Sequence, residues 1–267
     1  MKYEDDRNKH DDDRIRHEAD QMEHEEDCVY ELLVTASYLN QYNYLKPFGY
    51  QLLFEQMAER HLTQLDVNVD GTMRYGLAWV LISMSVEVVT PIEQSMTLFG
   101  STWYSTHKGP YFRREMLFKD RDGQVMFKGS THSVLLDLEK RTVFRKKETP
   151  FTITVPTEVV LLDSAPSFKM EADLKPVAER PVLASQIDCL GHVNNCRYGE
   201  FAYDTFTDGE QEGLKNLKRM DINFLSELRP GDRFTMKKAR EENRIFIQGY
   251  NDTKGDVSFN ITMNFDR

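Results

Sequence analysis

From Cys28 onward the chain runs through one order of elements twice, and this repeat restricts it to a fold built from two α+β units of similar plan. The first pass predicts a strand near 28–36 and a helix near 48–65, with Leu52, Leu53, Met57, Ala58 and Leu62 on one helical face. Strands near 77–90, 95–107, 111–120 and 124–138 follow. The second pass predicts a strand near 180–187, a helix near 195–206 carrying Tyr198, Phe201, Ala202 and Phe206, and strands near 217–227, 232–241, 244–252 and 256–266. Asp120-Arg121-Asp122-Gly123, Arg229-Pro230-Gly231-Asp232 and Asn251-Asp252-Thr253-Lys254-Gly255 interrupt these runs as turns, so neighbouring strands should pair as antiparallel hairpins. Residues 146–178 contain Pro150, Pro156, Pro166 and Pro176 without a sustained helical period and read as a surface linker. The expected division is a tail over 1–27, a first domain over 28–145, the linker over 146–178 and a second domain over 179–267.

The tail differs in composition from everything after it. Residues 1–27 hold twelve acidic against five basic side chains, so they carry −7 of the net charge of −10. With few apolar positions beyond Ile15 and Met22, the tail cannot offset its ordering entropy by burial and is expected to be solvated. His10, His17 and His24 recur every seven residues there, a spacing better explained by coincidence than by a metal site. The overall negative sign argues against nucleic-acid binding, while basic clusters at Arg113-Arg114, 140–147, 215–219 and 237–244 leave a face for an acidic protein partner. No apolar run approaches the roughly 20 residues of a membrane span, and no secretory signal is legible. Three cysteines give no disulfide framework. A cytoplasmic protein, monomeric or homodimeric, is the expectation.

The chemistry concentrates at Asp188-Cys189-Leu190-Gly191-His192-Val193-Asn194-Asn195-Cys196-Arg197-Tyr198, between the strand read over Pro181–Ile187 and the following helix. An acid, an imidazole and two amides gather where backbone N–H groups are free, and Asn194 or Asn195 can cap the helix. A carbonyl docked there would be polarised within reach of Asp188 and His192. The bland alternative is an Asn-capped surface turn. Cys189, His192 and Cys196 form a C-x2-H-x3-C pattern, but without a second ligand pair a structural metal is not expected. A thiol nucleophile is a further alternative, and a packing role for both cysteines is favoured over it. The first half has no acid and no His at Tyr38-Leu39-Asn40-Gln41-Tyr42-Asn43, where its own helix should begin, so one functional site per chain is expected.

This segment resembles the D-x-x-G-H-V-N-N-x-x-Y signature of hot-dog-fold thioesterases. Over about residues 28–266 the chain is similar to the acyl-acyl-carrier-protein thioesterases, through Leu77–Met84, Gly100–Ser105, Phe112-Arg113-Arg114, Gly129–Leu138 and the basic Lys140 and Arg141. The resemblance implies a tandem, double hot-dog fold of class α+β, an antiparallel sheet wrapping two central helices. It implies hydrolysis of fatty acyl thioesters on acyl-carrier protein, in fatty acid biosynthesis, without metal or cofactor. Asp188 would then be general base or nucleophile, His192 would orient water or the carbonyl, and the Asn195 N–H would receive the oxyanion. Glu227 falls at the family's second acid. The first half would select chain length, with Phe54, Met57, Trp79, Met84 and Trp103 lining an acyl channel. Arg113 and Arg114 are placed as a carrier-docking pair, on even terms with a plain strand role.

Two positions depart from that pattern. Leu190 stands where the family usually has Asn two residues after the acid, and Leu228 stands where plant members have Cys after the Glu. The first departure leaves acyl-CoA as an alternative substrate, since Leu also occurs there in single-domain acyl-CoA thioesterases with this motif. It also leaves open a non-catalytic acyl-binding protein. The second departure gives a papain-like Cys–His mechanism no support.

Overall fold

A computed structural model of the protein describes residues 29–146, 148–153 and 157–266, without the side chains of 106–108. The acidic tail with its three histidines, and Cys28, lie outside the described residues. Strand β1 spans Val29–Val34, and helix α1 spans Pro47–Gln64. Pro47 occupies the first turn of α1, where a missing N–H costs nothing. A short helix α2 (Val69–Met73) precedes β2 (Leu77–Val88), β3 (Met96–Lys108), β4 (Tyr111–Lys119), β5 (Val125–Asp137) and the two-residue β6 (Thr142–Val143). The second part has β7 (Lys175–Pro181), helices α3 (Arg197–Tyr203) and α4 (Asp208–Glu212), then β8 (Leu217–Phe224), β9 (Arg233–Arg240), β10 (Arg244–Asn251) and β11 (Asp256–Phe265).

All these strands join one antiparallel sheet in the order β1-β3-β4-β5-β2-β8-β11-β10-β9-β7, with β6 beside β5. The seam between the two parts is β2 against β8, with Met84 opposite Ile222 and Val86 opposite Met220. Counted outward from that seam, each part runs second strand, fifth, fourth, third, first. The repeat is therefore one of connectivity, although the side chains differ.

Strand alternation gives the sheet two unlike faces. On the inner face lie Met84, Val86, Leu98, Met116, Phe118, Met220 and Ile222, all buried in one core with α1 and α3. Phe54 of α1 stacks on Phe118 and Phe127, at ring-centroid distances of 5.4 and 6.3 Å. Gly129 leaves space for this, since a Cβ there would stand 2.4 Å from Phe54 and from the Ser85 carbonyl. The outer face is polar, and the described part of the linker crosses it. Ser83 Oγ donates to the Ala165 carbonyl, Asn223 Oδ1 accepts from the Phe168 N–H, and Arg219 donates to the Asp163 carbonyl. Leu161 and Leu162 are buried there against Trp103 and Leu117. The linker is thus packed and hydrogen-bonded to the sheet along this path.

The strand expected over 180–187 is a correction. Pairing stops at Pro181, and Ala184–Gln186 is a 3-10 turn whose Gln186 Oε1 accepts from the Leu183 N–H. The strand lies upstream at Lys175–Pro181, beginning within the stretch read as linker. Its two prolines and polar residues conceal it, yet as the last strand of the sheet it tolerates Pro176, beside a register shift. The helix expected over 195–206 is also shorter, at Arg197–Tyr203.

Candidate active site

The motif folds as a tight reversal. Ile187 bridges Val193, the Asp188 N–H donates to the His192 carbonyl, and Gly191 takes the left-handed conformation, at φ +82°, that closes the turn. The reversal sets Asp188 Oδ2 3.4 Å from His192 Nδ1, while the Leu190 N–H donates to Asp188 Oδ1 at 2.9 Å. Val193 N–H donates to the Leu228 carbonyl, and Leu228 N–H donates to Tyr198 Oη, so the loop carrying Glu227 is tied to the motif and to α3. Asp188, His192, Asn195 and Glu227 consequently line one cleft of about 700 Å³. Among the described residues the Asn195 N–H has no protein acceptor. The expected Asn cap takes a different form. Asn194 Oδ1 accepts from the Cys196 N–H, and the residue preceding the helix is Cys196, whose side chain caps nothing.

Glu227 pairs with Arg229 at 2.7 Å. Burial pushes its carboxyl up, but the Arg229 hydrogen bond, the nearby His192 and the charges of Arg229 and Lys254 outweigh this and hold it below the usual range. Glu227 is therefore an anion at neutral pH, not a proton donor. The Cys196 thiol is pushed well up, first by burial and then by the charge of Glu55, so it stays protonated. Cys189→Ala combined with Cys196→Ala is accordingly expected to keep turnover within about tenfold of the native rate. A folded but inactive double variant would restore the thiol mechanism. Among the described residues no cluster of three or more His, Cys, Asp or Glu is placed to hold a metal.

An apolar cavity of about 220 Å³ adjoins the cleft, and Glu55, Glu59, Val69, Trp79, Leu81 and Asn195 line both. Phe54, Trp79 and Met84 line the cavity. Trp79 and Met84 lie on one face although five residues apart, because β2 shifts register between Leu81 and Ser83. Trp79 is held by its Nε1–H to the Val67 carbonyl and by an edge-on contact with Phe112. Two expected channel residues are corrections. Met57 is fully buried in the core beneath, and Trp103 faces outward under the linker, its Nε1–H donating to the Val159 carbonyl. Strand alternation sends Tyr104, not Trp103, into the cavity.

Arg113 and Arg114 are corrections as well, since neither presents a free charge on the surface. Arg113 points outward but is covered by the linker, bonded to Glu115 at 2.5 Å and to the Leu162 carbonyl at 2.6 Å. Arg114 points inward, is 5% exposed and lines the apolar cavity. It donates to His61 Nδ1 and Thr102 Oγ1 and lies over the Tyr104 ring, 4.3 Å from the centroid. Burial and then the Arg114 charge push the His61 imidazole down to about 4, so it accepts as the neutral base. Sequence reading missed His61, Gln51 and Glu55. Gln51 and Glu55 are one turn apart on α1, but nothing local signals their partners more than a hundred residues away, nor the Arg114 partner of His61, 53 residues away.

Family models and solved structures match the chain over most of its length. The family model for the acyl-ACP thioesterase N-terminal domain matches residues 37–149, and that for the C-terminal domain matches 172–267. An acyl-ACP thioesterase structure from Bacteroides thetaiotaomicron aligns at 18% identity over 89% of this chain and 97% of that one, with a TM-score of 0.75. The 12:0-ACP thioesterase from Umbellularia californica aligns at 14% identity over 89% and 97%, with a TM-score of 0.69. At these identities the solved structures establish a shared hot-dog-type fold. No curated protein matches significantly. Because the two family models together cover most of the chain, it belongs to the acyl-ACP thioesterase family and is a thioester hydrolase.

Proposed function

We propose that the chain is a tandem hot-dog enzyme whose second part hydrolyses a fatty acyl thioester and whose first part holds the acyl chain. The identical strand order on either side of the β2–β8 seam supports the tandem reading, as do α1 and α3 on the same face. The helices meet at Gly199, where a Cβ would stand 2.0 Å from Gln51 Oε1. The division at 28–145, 146–178 and 179–267 holds in this proposal with one change, the second part beginning at Lys175.

The observation that carries the catalytic reading is the convergence of Asp188, His192, Glu227 and the acceptor-free Asn195 N–H on one cleft that opens into an apolar cavity. A thioester already has a good leaving group, so hydrolysis needs a polarised carbonyl and an activated nucleophile. The Asn195 N–H donates to the carbonyl oxygen as it gains charge. Asp188 supplies the nucleophile, by taking a proton from water or by attacking itself, with His192 beside it orienting water. Glu227 balances positive charge that develops on His192. The acyl chain lies along Phe54, Trp79, Leu81 and Met84. The carrier is acyl-carrier protein, as the family implies, and the product a free fatty acid of cytoplasmic fatty acid biosynthesis. Among the described residues no helix is long and apolar enough to cross a membrane.

The test is hydrolysis of a panel of acyl-carrier-protein and acyl-CoA thioesters of graded chain length. Faster turnover of the carrier-protein series supports the proposal, and faster turnover of the CoA series replaces the carrier. Leu190→Asn belongs in the same assay. Leu190 is 42% exposed and meets Asp188 only through its backbone, so the variant is expected to keep its thermal midpoint and hydrolyse within about threefold of the native rate. A native chain inert on every thioester, with an active Leu190→Asn, would mark an acyl-binding protein that has lost its chemistry.

A further inference from the structure

The motif turn is gripped by a helix from the other part of the chain. On α1, Gln51 and Glu55 are one turn apart and face residues 194–196 together. Gln51 Nε2 donates to the Asn195 carbonyl at 2.8 Å. Asn194 Nδ2 donates to Glu55 Oε1 at 2.8 Å, and the Cys196 thiol donates to Glu55 Oε2 at 3.3 Å. Both residues flanking Asn195 are thus held by one carboxylate, and its own carbonyl by the adjacent amide. This face of α1 also forms the wall shared by the cleft and the apolar cavity.

We propose that Glu55 is a positioning residue for thioester hydrolysis, which fixes the backbone at Asn195 so that its N–H faces the cleft. The proposal rests on the reading of the Asp188 cleft as the hydrolytic centre. Three features support it. The other bonds at residues 194–196 come from within the second part, by the Asn194 N–H to the Gln186 carbonyl and the Cys196 N–H to Asn194 Oδ1, so the contacts from α1 are the restraints that reach this backbone from the cavity side. An unpaired carboxylate beside a developing oxyanion would oppose it, and here each Glu55 oxygen is occupied by a donor. Leu190 supplies no polar side chain to the Asp188 turn, so apart from Asn194 Oδ1 on the Cys196 N–H the side-chain bonds at residues 194–196 come from α1.

The test is steady-state kinetics of Glu55→Ala, Glu55→Gln and Asn194→Ala against the native enzyme and Asp188→Asn, on one acyl-carrier-protein substrate. Misplacing a catalytic group by about an ångström costs roughly 10²-fold, so Glu55→Ala is expected to lose about that in kcat with KM within about threefold. Glu55→Gln retains one acceptor, and Asn194→Ala removes one of the two bonds, so each should lose about tenfold in kcat. The pH midpoints of kcat should not move, because Glu55 carries no proton in the reaction. Native kcat in Glu55→Ala overturns the proposal, as does a rise in KM at constant kcat, which would make Glu55 a cavity wall. Loss of the acid limb of the pH profile in Glu55→Gln also overturns it, in favour of a direct base. If Glu55→Ala does not fold, the Glu55→Gln and Asn194→Ala pair decides by the same criteria. A full rate in Asp188→Asn would instead remove the underlying reading of the cleft.

Discussion

Replacing Asp188 with Asn is expected to lower turnover by about 10²–10⁴-fold while leaving the fold intact. The amide keeps the size of the carboxylate, and its oxygen can still accept from the Leu190 N–H, so the reversal over residues 187–193 retains its local support. What disappears is the proposed base or nucleophile, the carboxylate oxygen that stands 3.4 Å from His192 Nδ1. The loss should fall on kcat rather than KM, because in the proposed mode the acyl chain lies in the cavity walled by α1, β2 and β4, away from the substituted atom. Steady-state kinetics with a thermal melt as control decides the matter. Near-native turnover in a folded variant would refute an Asp188-centred mechanism.

Acid should destabilise the protein steeply between about pH 6.5 and 4, because two imidazoles are buried in neutral form. His61 and His132 are 2% and 5% exposed, and burial, followed by the charges of Arg114 and Arg113 respectively, pushes each down to about 4. In the unfolded chain they return to about 6.5, so between those values the unfolded state binds more protons than the folded one, and stability falls as pH falls. The contribution is present in full above pH 6.5, and its loss is complete below about 4. At pH 5 the cost is roughly 2 kcal/mol for each imidazole. Glu115 works the other way, since burial pushes its carboxyl up against the pull of Arg113, and it offsets part of the loss. Urea midpoints at pH 7.5 and 5.0 measure the effect. His132→Leu should remove close to half of the drop, whereas an equal drop in both proteins would show that the buried histidines do not cause it.

The carrier-docking role of Arg113 and Arg114 shows why some of the site was beyond sequence reading. Two adjacent arginines on a strand look like a surface cluster, and alternation says only that they face opposite ways. It was the linker lying over one face and α1 over the other that buried both. Trp103 and Tyr104 divide for the same reason. The strand β7 was obscured because prolines argue against a strand wherever its position in the sheet is unknown, and only the finished sheet makes Lys175–Pro181 an edge. Glu55 carries no local mark at all.

By itself the sequence determined most of the strands, the two main helices, the order in which they repeat and the residues gathered in the motif. Helical and alternating periods, Pro47 in the first turn of α1 and Gly191 in the reversal are short-range constraints, and they act before any distant residue arrives. Tertiary structure alone decided which face of each strand is covered and by what. It also decided that the Asp188 cleft joins the cavity of the first part, and that α1 holds the turn at Asn195. The last two depend on contacts between residues more than a hundred positions apart, which no local pattern encodes because they exist only once the two sheet halves have met at the β2–β8 seam.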